Sequence, residues 1–216
     1  MSRAAPSLGE PGALDGFPVW HVLRGTAFYR VTAEGNGPWW FASDGGGRFD
    51  LPAPRGTCYL ADDPLVALLE VLGALASAPV IEPGVLDGRS VWTLEMPDQC
   101  DAADTTTRRA RGFGITAELA ATARYAVTQR WAAAFAGAGF GGVRYRARHD
   151  PAGGRCLALF GAAGERRRWR RGRPAPVGDD LLERLRREAG VVVAPGRPSL
   201  DALREVRDDE GVGSVT

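Results

Sequence analysis

Residues 45–73 read GGGRFDLPAPRGTCYLADDPLVALLEVLG, and the order of parts in this stretch decides how the rest of the chain must fold around it. Three glycines lead into Arg48. Thr57–Ala61 is predicted to be a compact strand carrying Tyr59, and a helix signal follows at once. Asp62 or Asp63 suits the helix cap, and Pro64 fits the first helical position, where its missing N–H is not needed. Leu65, Leu68, Leu69, Leu72 and Ala76 then recur at helical spacing as one apolar stripe. The opposite face holds Val66, Ala67, Val71, Gly73 and Ala74, with Glu70 as its only charge. A helix apolar all round is a buried helix. An ionised carboxylate within it requires an ion pair, hydrogen bonds or a cleft. Two readings stand: a structural pair with Arg48 or another arginine, and a functional carboxylate facing a cleft. Arg48, Tyr59 and Glu70 are the candidate site residues of this stretch.

Gly45, Gly46 and Gly47 let the backbone take positive φ and come close to a phosphate or to a neighbouring strand. They form neither a Walker loop nor a dinucleotide fingerprint, because no GK[ST] follows and they do not open a helix.

A chain of 216 residues, 44% hydrophobic and with six tryptophans, suffices for one main domain with its own core. The formal net charge of +1 supplies no global field for nucleic acid or for an anionic membrane. Every Lys or Arg position is arginine, which reads as coding bias. Cys58, Cys100 and Cys156 are odd in number and far apart, matching neither a disulfide framework nor a zinc spacing. There is no apolar run long enough to span a bilayer, and residues 1–16 lack the pattern of a signal peptide, so a cytoplasmic protein with no membrane role is expected.

Outward from the central stretch, residues 1–16 read as a loose arm rich in Gly, Pro, Ala and Ser. Val19–Leu23 and Ala27–Val31 are predicted strands, the second carrying Arg30. Trp39, Trp40 and Phe41 read as core or rim packing. Ser90–Met96 alternates as a strand, Asp98–Thr107 reads as a loop, and Thr116 caps a long alanine-rich helix reaching about Gly137. Phe140–Arg146 and Arg155–Phe160 are two more strands; CLALF within the latter is a nearly continuous apolar run, as a central strand requires. ERRRWRRGR at 165–173 reads either as a solvated exit segment or as a single-strand nucleic-acid patch, the second being the weaker reading in so arginine-rich a chain. Helices are expected at Asp179–Ala189 and Ser199–Val206. The resulting layout is an arm over 1–16, one domain over 17–172 and a helical extension with a tail over 173–216.

AFYRV at 27–31, GGRF at 46–49, YLADDPLVALLEVL at 59–72 and GVRYRARHDPAGGRCLALF at 142–160 together resemble the RES-domain family, the toxin half of a bacterial toxin–antitoxin pair. The likeness runs over about Val19–Gly161. It implies a compact α/β (α+β) fold, a mixed sheet with flanking helices similar to the ADP-ribosyltransferases. It also implies NAD+ as substrate, consumed by hydrolysis or phosphorolysis, with no further cofactor and no metal. By this resemblance Arg48, Tyr59 and Glu70 are the functional set, and Arg30 lines the NAD+ pocket. Glu70 would stabilise the positive charge that develops on ribose. Tyr59 would offer a flat face and a hydroxyl to nicotinamide, and Arg48 and Arg30 a fork of donors to pyrophosphate.

The family often has serine where this chain has Ala147, so a hydrogen bond to substrate is lost there. Arg148 and His149 flank that position, and His149 reads as an acid or base near neutral pH or as an ordinary loop histidine. The resemblance implies an antitoxin partner, and a homo-oligomer is compatible with it. Two other activities remain open on the sequence: protein ADP-ribosylation, and NAD+ binding without turnover.

Overall fold

The computed structural model describes residues 8–170 and 172–195. Along the chain lie β1 (Val19–Val22), β2 (Ala27–Ala33), β3 (Trp40–Phe41), β4 (Arg55–Ala61), α1 (Pro64–Leu72), β5 (Val80–Ile81), β6 (Arg89–Glu95) and β7 (Cys100–Asp104). After them come α2 (Glu118–Ala121), α3 (Tyr125–Gly137), β8 (Gly142–Arg146), β9 (Arg155–Ala162), β10 (Gly164–Glu165), β11 (Pro174–Pro176), α4 (Asp179–Ala189) and β12 (Val192–Val193). Eight strands form one mixed sheet in the order β1-β7-β8-β9-β4-β2-β6-β11, with β7–β8 its parallel pair.

Strand β9 is central, as its composition requires. Cys156, Ala158 and Phe160 face one core cluster, and Leu157 and Leu159 face the other. The first cluster packs the sheet against α1 and α3. The second is closed by Trp39, Phe41 and Trp169, whose rings meet edge-on at 5.0 and 5.8 Å from Trp169. Trp39 and Phe41 are thus core side chains, while Trp40 is 51% exposed. Trp169 packs inward against them, so it is not a free platform for a base.

Helix α1 is buried on nearly every side, with Leu65, Val66, Ala67, Leu68, Leu69 and Leu72 all inside. Asp63 caps it, accepting a hydrogen bond from Leu65 N at 2.7 Å.

Four expectations are corrected. Cys100–Asp104 is a strand, not a loop. CDAAD has weak strand propensity, but it is ordered by pairing with β1 on one side and β8 on the other. The long helix before Gly137 is broken: α2 ends at Ala121, and α3 begins at Tyr125. Residues 8–16 are no loose arm, since Leu8 is buried, Trp131 Nε1 donates to Gly9 O at 2.9 Å, and Glu10 pairs with Arg130. Position 172 is not a domain edge. Pro174–Pro176 pairs with Ser90–Trp92 as the last strand of the main sheet, Leu185 of α4 is fully buried, and β12 pairs with β5. The helix expected at Ser199–Val206 lies outside the described residues.

Candidate active site

The sheet is split beside α1. Strand β2 pairs with β6 along seven residues and β4 with β9 along seven, yet β2 and β4 meet only at Tyr29↔Ala61. The opening is a cavity of about 280 Å³ whose lining includes Arg48, Tyr59, Glu70, His149 and Cys156. All four tyrosines of the chain, Tyr29, Tyr59, Tyr125 and Tyr145, line it, and none of the eight phenylalanines or six tryptophans does. Phenol rings give a wall that is apolar on its faces and polar at its tips, which suits a flat, polar ligand.

Tyr59 is fixed by the turn that the glycines build. Its hydroxyl donates to Asp50 Oδ1 at 2.7 Å and accepts from Phe49 N at 2.8 Å, while Asp50 Oδ2 accepts from Gly47 N at 2.8 Å. A β-carbon at Gly47 would overlap both Asp50 Oδ1 and the Tyr59 hydroxyl, so the third glycine serves close approach within the protein. Burial first, and then the charge of Asp50, push the Tyr59 phenol far above its ordinary range. It stays protonated, with its hydroxyl committed to Asp50 and Phe49. Its ring is what it offers the cavity.

Arg48 is buried and does not pair with Glu70. Its Nη1 donates to Thr122 O at 2.8 Å and to Leu119 O at 3.4 Å, and the guanidinium lies 5.3 Å from the centre of the Tyr125 ring. These are carbonyls at the end of α2, where the helix dipole favours a cation. This contact accompanies the helix break and holds Arg48 at the cavity wall.

Glu70 faces the cavity from α1. Among the described residues its one hydrogen bond is from the backbone N–H of His149 to Oε1, at 2.8 Å. The ion-pair reading with Arg48 therefore falls. His149 lines the same cavity and, together with the exposed Arg148, a neighbouring cavity of about 730 Å³.

Arg30 and Ala147, the other expected substrate contacts, are held by different partners. Arg30 contributes to the lining at the split, but its guanidinium donates to Pro38 O at 2.7 Å, Trp40 O at 3.1 Å and Cys58 Sγ at 2.9 Å. Side chains alternate along a strand, and Phe28 and Cys58 mark the opposite face of the sheet from Tyr29, Tyr59 and α1. Ala147 is buried in the core, donates its N–H to Gly154 O at 2.8 Å, and is not part of the cavity wall.

Tyr29, Tyr125, Tyr145 and Cys156 belong to the wall and were not singled out from the sequence. Tyr29 shares its strand face with Val31, and Tyr145 lies opposite Cys156 across β8 and β9, so strand parity carried a usable signal for both. Burial, followed by the charge of Glu70, raises the Cys156 thiol well above its usual range, which makes it a wall and not a nucleophile.

The family model of the RES domain matches residues 19–178. Among solved structures, the chain is similar to one in the crystal structure of the M. tuberculosis MbcT-MbcA toxin-antitoxin complex. The TM-score is 0.59 at 23% identity, over 77% of this chain and 91% of that one. At that identity the likeness speaks for the fold. No curated protein gives a match to the chain.

Proposed function

The chain belongs to the RES-domain family, and from that premise we propose that it is the toxin of a toxin–antitoxin pair, cleaving the nicotinamide–ribose bond of NAD+ in the cytoplasm until a partner protein restrains it. The observation that carries this reading is the convergence of Arg48, Tyr59 and Glu70, from three separate elements, on one tyrosine-walled cavity.

Each group has a task matched to its chemistry. The bond from ribose C1′ to the nicotinamide nitrogen breaks, and its electron pair neutralises the pyridinium ring. Positive charge spreads over the sugar, and the Glu70 carboxylate, held in place before reaction, stabilises it. Oxygen from water or phosphate then bonds to C1′ and gives up its proton. The Tyr59 and Tyr145 rings enclose the flat nicotinamide. Arg48, anchored through Nη1, keeps the rest of its donor fork for pyrophosphate. A cavity of about 280 Å³ takes the nicotinamide riboside half and leaves the adenosine half at its mouth. Arg30 is left out of this assignment, since its guanidinium is engaged on the other side of the sheet.

The test is NAD+ consumption by purified protein, with and without phosphate, products being separated by mass. Wild type is expected to release nicotinamide, and Glu70→Gln to be slower by roughly 10²–10³-fold, as for loss of one preorganised electrostatic group. ADP-ribose or its phosphorylated form names the acceptor. Intact NAD+ after incubation with partner-free wild type would sink the reading.

A further inference from the structure

Among the described residues, Glu70 is aimed by a loop and not by another side chain. We propose that Asp150 is a positioning residue for Glu70, its carboxylate folding residues 150–154 into the turn that points the His149 N–H at Glu70 Oε1. The significance for catalysis rests on the NAD+ reading above; the coupling itself does not.

The loop joins β8 to β9, and its base is closed by Ala147 N donating to Gly154 O at 2.8 Å. At its tip Asp150-Pro151-Ala152-Gly153 has the residues a tight turn favours: an aspartate first, a proline with preset φ second and a glycine fourth. Gly153 N donates to Asp150 O at 3.1 Å, and Gly153 itself has φ of 86°. The Asp150 side chain then binds the turn from inside. Oδ1 accepts from Ala152 N at 3.0 Å and Oδ2 from Gly154 N at 2.7 Å. Both carboxylate oxygens are used, each on a different amide.

The turn is also set against the helix that carries Glu70. A β-carbon at Gly154 would overlap Val66 Cγ2 and Asp150 Oδ2, so backbone, helix and carboxylate meet with no space between them. Val66 lies one helical turn before Glu70 on α1. Asp150 thus fixes the loop, Gly154 fixes its distance from α1, and His149 N delivers the hydrogen bond that selects a Glu70 rotamer. A glutamate has several rotatable bonds, and a displacement of about 1 Å of a reacting group is worth about 10²-fold in rate.

The experiment has two arms. In the first, amide hydrogen exchange at His149 is read by NMR in wild type, Glu70→Ala, Asp150→Ala and Asp150→Asn. Protection is expected in wild type and a fall of at least about tenfold in Glu70→Ala and Asp150→Ala, with Asp150→Asn between them because one acceptor oxygen remains. A His149 amide as protected in Asp150→Ala as in wild type overturns the proposal. In the second arm, NAD+ cleavage is measured for wild type, Asp150→Ala, Glu70→Gln and the double variant. Asp150→Ala is expected to lower kcat by about 10–100-fold with KM within about threefold, and the double variant to be no slower than Glu70→Gln. Losses that multiply in the double variant would mean that Asp150 acts on the fold as a whole, and would overturn the proposal. Wild type that cleaves no NAD+ removes the functional reading, while the exchange arm still decides whether Asp150 sets Glu70.

Discussion

The Arg48 guanidinium donates to the Thr122 carbonyl at 2.8 Å, so the arginine that ends the glycine turn also closes a helix lying more than seventy residues further on. One side chain thereby joins the cavity wall to the break between α2 and α3. Arg48→Ala leaves the Leu119 and Thr122 carbonyls without that donor and is expected to destabilise the protein by about 1–3 kcal/mol in urea unfolding. Arg48→Lys is expected to recover part of the stability but little of the NAD+ turnover, because an ammonium lacks the planar fork.

Tyr59 and Gly47 are two halves of one arrangement. Tyr59→Phe strips a donor from Asp50 and an acceptor from Phe49 N, an expected loss of about 1–3 kcal/mol. Gly47→Ala is expected to lose a similar ~1–3 kcal/mol through overpacking against the same two side chains. If the two act on one arrangement, the double variant loses less than the sum, which equilibrium unfolding of the four proteins measures.

Stability is expected to fall on the alkaline side. Burial raises the thiols of Cys58 and Cys156 above the ordinary 9.0, and the phenols of Tyr59 and Tyr145 above the ordinary 10.0. Above those ordinary values the unfolded chain has released the protons while the native chain still holds them. The unfolded state then binds fewer protons, and unfolding becomes easier as pH rises. The decline begins near pH 9 through the thiols and steepens above pH 10 through the phenols, each group contributing up to about 1.4 kcal/mol per pH unit. Urea midpoints from pH 8 to 11 check this, and Tyr59→Phe is expected to flatten the slope above pH 10.

Residues 173–195 are part of the folded body. Leu185→Ala empties a fully buried site and is expected to cost about 2–5 kcal/mol. A chain ended at residue 172 also loses the β11 pairing with β6 and the Arg184–Asp63 contact at the α1 cap, so its thermal midpoint is expected to lie below that of Leu185→Ala. Equal midpoints for the truncated and full chains would show that α4 and β11 add nothing.

Much of the fold was legible in local pattern. The all-round apolar composition of Leu65–Leu72 marks a buried helix wherever it sits, Pro64 and the two aspartates mark its start, and the CLALF run marks a strand covered on both faces. Glu70 stood out because a lone charge on such a helix conflicts with its surroundings, and that conflict is visible without coordinates. What the sequence could not decide was pairing. Cys100–Asp104 becomes a strand only because β1 and β8 flank it, and α2 stops beside carbonyls that Arg48 meets from a distant turn. The same holds for the partner of Glu70, a backbone N–H that leaves no mark in residue type. Arg30 and Tyr29 show the limit most plainly: adjacent residues on one strand point to opposite faces, and only the position of α1 decides which face holds the cavity. Local propensity and hydrophobic periodicity act over a few residues and are written in the chain. Contacts between elements tens of residues apart depend on how sheet and helices close around one another, and the tertiary structure alone decided those.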